Sequence, residues 1–311
     1  AKAERCCERM NVLPATVTDK KAKKEILFPG KLYSLTKLQN FLGKKYKMPM
    51  EKSLSIVQKL YENGYVSYPR TNSEYLATNE KDKVKQIISG VKKLGYNITF
   101  KDKKTIFDDS KIESHSALTP TYKIPDKNAL SADEFTVYSA ILRRFAAVFC
   151  EECYVEKSEL TISLGGKEDY SIKGSIILTE GWTKYDGGDR KDKILPKLEI
   201  GDTVNVDFHP EQKQTQPPKH YTIETLNNYL KNPFKDEKST DDSDDEDYKA
   251  IFKGLELGTE ATRTGIIDNA KKSGYISLKK DVYYIENNGK FLIEQLTDMN
   301  ISMDKYKTSQ M

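Results

Sequence analysis

The sequence predicts a multidomain α+β protein, and three observations lead there. Leucines and aromatics recur at helical spacing through residues 34–63 and again through 132–149. Between about 154 and 214 the period shortens to that of strands, broken by a Gly-Gly pair. From 219 onward a helical pattern returns, followed by helix, glycine, strand pair and helix, the order of a winged-helix-like module. A length of 311 residues accommodates two or three such domains.

In order along the chain, residues 2–10 read as the end of a helix, and LPATVTDKKAKKEILF alternates as extended chain. Pro29-Gly30 marks a boundary. In SLTKLQNFLGKKY, Leu35, Leu38, Phe41 and Leu42 share a helical face behind Ser34 as N-cap. KSLSIVQKLYENG repeats the pattern and ends at Gly64, which suits a left-handed cap. A helix covers 80–93. Ser131 and Glu134 form an S-x-x-E capping box that opens another over 132–149. VEKSELTISL and KEDYSIKGSII read as a hairpin about Gly165-Gly166, and LEIGDTVNVDFHP as a second strand pair about Gly201-Asp202. YTIETLNNYLKN is helical. DEKSTDDSDDEDYK, residues 236–249, is an acidic run expected to stay solvated and mobile. TEATRTGIIDNAKKSGYIS reads as a helix closed by Gly274, and DVYYIENNGKFLIEQL as a strand, an Asn-Asn-Gly turn and a helix.

Charge is unevenly spread. Residues 31–150 hold 21 Lys and Arg against 12 Asp and Glu, whereas 151–218 hold 9 against 14 and 219–311 hold 14 against 17. The basic segment can meet a polyanion through phosphate contacts or can be a solvated lysine-rich surface. No apolar run reaches 18 residues, so no membrane span is expected. Cys6, Cys7, Cys150 and Cys153 lack the spacing of a zinc site and read as free thiols of a reducing compartment. The chain opens without Met and without a signal peptide, and reads as an internal piece of a longer cytoplasmic protein.

The basic segment contains GYVSYPRTNSEYL. Pro69 disfavours helix at Tyr68 and pushes it towards extended geometry. In a strand, residues two apart point the same way, so Tyr68 and Arg70 are expected to share a face. A tyrosine with its ordinary pKa of about 10 is a weak nucleophile at neutral pH, and an adjacent cation favours its phenolate. The same guanidinium can bind the non-bridging oxygens of a phosphodiester as charge builds there. The plain alternative is a turn aromatic beside a surface cation.

YENGYVSYPRTNSEYL resembles the active-site tyrosine segment of type IA DNA topoisomerases, especially the topoisomerase III branch. Further stretches agree in order: KLYSLTKLQNFLGKKYKMPMEKSLSIVQKLYE ahead of it, ESHSALTPT with a histidine motif, EGWTKY, then PPKHYTIETL and LELGTEATRTGII with the family's DNA-gripping region. The resemblance implies a discontinuous β-rich hinge domain from 1–30 and 151–218, a helical, winged-helix-like active-site tyrosine domain over 31–150, and an incomplete helical, winged-helix-like DNA-binding domain over 219–311. It implies Tyr68 as nucleophile, Arg70 as stabiliser of phenolate and phosphate, and His115 as phosphate-positioning or proton-shuttling group. Thr71, Ser116, Thr259, Thr262 and Arg263 are the implied DNA-binding residues, the last two at a helix N-terminus that favours phosphate.

Asn72 stands where the family often has Asp, while His220 and Ile223 replace a basic and an acidic residue. The resemblance also implies Mg²⁺ held by an N-terminal TOPRIM module, not by these residues, so the chain alone is expected to be inactive. The expected partners are single-stranded DNA and that module, with no membrane, in a DNA-associated monomer. A non-catalytic single-stranded-DNA-binding module is the competing reading. A relaxase needs a histidine cluster and a recombinase a second arginine near a late tyrosine, neither of which the pattern offers.

Overall fold

The computed structural model describes residues 2–126, 128–188, 191–235, 254–301 and 304–310. The acidic run at 236–249 lies outside the described residues. The chain is mixed α+β with antiparallel sheets, and it divides into two compact units.

The first unit comprises residues 1–30, 97–99 and 146–217. After helix α1 (Lys2–Asn11) comes strand β1 (Ala15–Leu27), which pairs antiparallel with β2 (Cys153–Leu164). β2 in turn pairs with β3 (Glu168–Thr179) through a hairpin in which Gly165 and Gly166 both take positive φ, as the Gly-Gly pattern predicts. Helix α6 (Thr183–Asp186) follows, and the short β4 (Thr203–Val204) completes the order β3-β2-β1-β4. Ala15, Val17, Leu160, Ile162 and Leu164 form the core of this sheet. Trp182 Nε1 donates to Leu27 O at 2.6 Å, so this indole buries its ring without an orphaned N–H. The second expected strand pair does not form. Residues 198–200 are not a strand; instead Gly201 N donates to Val17 O and β4 pairs with Ala15 and Thr16. The Asp202 carboxylate takes the Glu199 N–H at 2.8 Å, which spends the segment's backbone on a turn.

The second unit comprises residues 31–96, 100–145 and 218–311. Its helices are α2 (Leu35–Tyr46), α3 (Met50–Glu62), α4 (Lys81–Lys93), the part of α5 (Ala132–Phe149) up to 145, α7 (Ile223–Lys231), α8 (Arg263–Lys272), α9 (Asn287–Asp298) and α10 (Lys305–Gln310). A two-stranded hairpin, β5 (Ile276–Lys279) and β6 (Val282–Ile285), sits between α8 and α9. Leu35, Leu38, Leu42, Val57 and Leu60 are fully buried. Each such side chain contributes about 1.5–3 kcal/mol by leaving water. Helix α7 packs on α2 at Gly43, where an added Cβ would meet Ile223 at 2.9 Å. Met50, Ile223, Ile267 and Tyr283 join α3, α7, α8 and β6 in one apolar cluster.

The expected Asn-Asn-Gly turn is not a turn. Asn287, Asn288 and Gly289 form the first turn of α9. Gly289 is required there because the Tyr275 carbonyl would lie 2.3 Å from any Cβ.

Candidate active site

Helix α3 ends at Glu62, and Gly64 turns the chain with φ +76°. Residues 65–67 then bind alongside 117–121. Ser67 N donates to Thr119 O at 2.9 Å, Thr121 N to Tyr65 O at 3.0 Å, and the Ser67 hydroxyl links Ala117 O and Thr119 N. Val66 points into the core. This frame presents Tyr68 half-buried.

The ring of Tyr68 meets Tyr61 edge-on at 5.5 Å between centroids and the His115 imidazole at 4.3 Å. Its hydroxyl makes no hydrogen bond among the described residues. The alternation that would set Arg70 on the same face ends at Pro69: Thr71 N donates to Pro69 O at 3.0 Å, closing a three-residue turn about Arg70. Arg70 Nη1 donates to the carbonyl of Ala261 at 2.6 Å, and neither a hydrogen bond nor a cation–π contact joins it to Tyr68. The expected phenol–guanidinium contact is therefore replaced by Tyr68 on His115 and Arg70 on the loop before α8. Arg70 lines a cleft of about 480 Å³ together with Asn72, Glu113, Ser114, Thr259 and Ala261.

The other expected site residues divide by exposure. Thr259 and Thr262 are exposed, and their hydroxyls lie 3.0 Å apart at the start of α8. Ser116 is half-buried and accepts from Ala77 N at 3.1 Å. Thr71 is 1% exposed; its hydroxyl donates to His115 O at 2.9 Å and its carbonyl accepts from Leu35 N, so it braces the site from within.

Arg263, an implied DNA-binding residue, is 2% exposed. Its guanidinium donates to Glu256 Oε2 at 2.8 Å, Gly258 O at 2.7 Å and Thr36 Oγ1 at 3.2 Å. Glu260, also buried, accepts from Thr36 N and Thr36 Oγ1 at 3.1 and 2.6 Å, placing its charge at the N-terminus of α2. Sequence reasoning passed over Glu260, Ala261, Tyr61 and Glu113. Only Glu113 had a local signal, two residues before His115 in ESHSALTPT. Among the described residues no group of three or more His, Cys, Asp or Glu side chains could hold a metal ion.

A bipartite α+β chain with a tyrosine stacked on a histidine, and an arginine two residues on that lines a polar cleft, is what this fold and site define. The chain belongs to the DNA topoisomerase family, whose model matches residues 1–311. Among its curated relatives, DNA topoisomerase 3 of Bacillus licheniformis is 33% identical over 303 residues, covering 90% of this chain and 40% of that protein. DNA topoisomerase 3 of Haemophilus influenzae is 29% identical over 316 residues, covering 97% of this chain and 47% of that one. These relatives carry the resemblance to the type IA, topoisomerase III branch. The full-length topoisomerase I of Thermotoga maritima superposes with a TM-score of 0.67 over 95% of this chain and 47% of its own, at 19% identity, which shows a shared fold. The chain thus spans less than half the length of the relatives it matches.

Proposed function

We propose that this chain is the tyrosine-bearing part of a type IA DNA topoisomerase acting on single-stranded DNA. In this reading the Tyr68 oxygen attacks a backbone phosphorus, a 5′-phosphotyrosine bond forms, and the bond to the 3′-oxygen breaks. The phenolic proton is lost and the leaving 3′-oxygen gains one; religation runs the same steps backwards, so no nucleotide is consumed. What supports the reading is the Tyr68 hydroxyl, without a hydrogen bond among the described residues, on a ring that rests against the His115 imidazole. Arg70 is one bond from release: its carbonyl partner is neutral, and a phosphate oxygen is the stronger acceptor. Thr259 and Thr262 offer exposed hydroxyls to the strand at a helix start. Thr71 and Arg263 hold the frame.

Among the described residues, the carboxylates near the cleft do not fit a Mg²⁺ site. Glu256 and Glu260 are committed to Arg263 and Thr36, and Glu113 is bound by Asn72. The resemblance assigns the metal to a TOPRIM module outside these residues, and none of the steps above runs through it. The β-rich unit is the hinge in this reading, and the chain works as a DNA-associated monomer. No helix among the described residues is long and apolar enough to cross a membrane.

The test mixes the chain with an acidic Mg²⁺-binding module and a labelled single-stranded oligonucleotide, then denatures and looks for a covalent adduct. An adduct at Tyr68, absent from Tyr68→Phe, supports the proposal. Cleavage by Tyr68→Phe at the wild-type rate overturns it, and strand binding without any adduct favours a non-catalytic module.

A further inference from the structure

The segment carrying His115 is pinned to the tyrosine segment on both flanks. Ser73 Oγ donates to Lys111 O at 3.0 Å before it, and Ala117 N donates to Tyr75 O at 2.8 Å after it. Thr71 Oγ1 donates to the His115 carbonyl. Each of these bonds fixes backbone. One tie is different: Asn72 Nδ2 donates to Glu113 Oε2 at 2.7 Å, side chain to side chain, on the wall of the cleft that Arg70 lines. The His115 imidazole is exposed and makes no hydrogen bond among the described residues. It rests against the Tyr68 ring. Without a polar anchor, the place of the imidazole over the phenol depends on how residues 113–115 are held.

We propose that Asn72 and Glu113 are a positioning pair for the Tyr68–His115 stack. The tie anchors the chain two residues before His115, and Thr71 anchors it at His115 itself, so the imidazole leaves a segment fixed at two points. Hydrogen bonds to a carboxylate are shorter and stronger than neutral ones, which suits a tie exposed to water. The pair touches neither reacting atom. It acts through the position of His115, and misplacing a reacting group by about 1 Å can lower a rate about 100-fold. The catalytic consequence rests on the proposed roles of Tyr68 and His115; the geometry does not.

The chain has three histidines, His115, His209 and His220, so isotope-labelled histidine gives a resolvable NMR spectrum of the whole protein. Tyr68→Leu removes the stacked ring, identifies the His115 signal and sets its unstacked position. Asn72→Ala and Glu113→Ala are expected to move the His115 signal more than half-way to that position, with His209 and His220 unmoved as the check on folding. Glu113→Gln still offers an oxygen to Asn72 Nδ2 and is expected to keep the wild-type position. In the adduct assay the two alanine variants should fall at least about tenfold while Glu113→Gln stays close to wild type. His115 unmoved in both alanine variants overturns the proposal. So does Glu113→Gln moving as far as Glu113→Ala, which assigns the effect to charge and not to the tie. Should Tyr68 prove not to be the nucleophile, the adduct arm is lost but the spectrum still decides the pair.

Discussion

Arg70 Nη1 reaches the Ala261 carbonyl at 2.6 Å across 191 residues of sequence. The bond ties the turn after Tyr68 to the loop that opens α8. Because the guanidinium is half-buried, a strand can reach it, and a charged phosphate oxygen outcompetes a neutral carbonyl. Arg70→Ala should therefore remove one phosphate contact. On single-stranded DNA the slope of log affinity against log salt should flatten by about 0.7. Fluorescence anisotropy over a salt series reads this directly, and an unchanged slope means that Arg70 stays on Ala261 when DNA binds.

Tyr68→Phe should be a clean substitution. The ring contacts to Tyr61 and His115 are kept, and the hydroxyl has no partner to abandon among the described residues. Urea unfolding of this variant is expected to match wild type within about 0.5 kcal/mol. A larger loss would mean that the hydroxyl has a structural role and would weaken any inference drawn from missing adduct.

Local features were legible in the sequence. The Ser131–Glu134 capping box spans four residues, and the Gly165-Gly166 hairpin needs only positive φ and flanking strands. Tyr68 and His115 were singled out by their surroundings in the chain. Features made by distant partners were not legible. The burial of Arg263 depends on Thr36, 227 residues away, and the tie of Asn72 depends on Glu113, 41 residues away. Residues 198–200 look like a strand because alternation cannot show that Asp202 will take the Glu199 N–H. Gly289 looks like a turn because nothing local announces the Tyr275 carbonyl against it.

Arg263 is the most deeply placed cation of the site. Removing its guanidinium leaves Glu256 and the carbonyl of Gly258 without their donor, and takes from buried Glu260 a positive charge 4.0 Å away, leaving it Lys231 at 3.5 Å. Arg263→Ala should destabilise the second unit by about 3–5 kcal/mol. Arg263→Lys should recover little, because one ammonium cannot replace a planar fork serving Glu256, Gly258 and Thr36 at once. Chemical denaturation of both variants measures it. A loss under about 1 kcal/mol for Arg263→Ala, the range of an exposed ion pair, would show the network to be loose.

Tyr138 on α5 makes the opposite case. It is buried, its hydroxyl has no hydrogen-bond partner among the described residues, and burial pushes its phenol well above the ordinary range. An orphaned buried hydroxyl costs free energy, so Tyr138→Phe should be neutral or stabilising by up to about 1 kcal/mol. A clear loss in unfolding midpoint would reveal a partner for that oxygen, such as an ordered water.

Glu134 links stability to pH. Lys59 Nζ lies 2.6 Å from its carboxylate and the Ser131 N–H donates to it at 2.8 Å. Led by the Lys59 bond, these contacts hold the carboxyl down at about 2 against an ordinary 4.5. A depressed folded pKa stabilises the ionised fold. That contribution is complete above the unfolded value of 4.5 and disappears as pH falls through about 2. Glu134→Ala also loses the reciprocal cap at the start of α5, a change of about 1 kcal/mol at neutral pH. The gap between wild type and Glu134→Ala should therefore be widest at neutral pH and narrow steadily below pH 4.5. Urea midpoints measured at several acidic pH values follow that narrowing. A gap that stayed constant down to the acid limit would mean that the carboxylate's charge, and with it the Lys59 contact, contributes nothing to the fold.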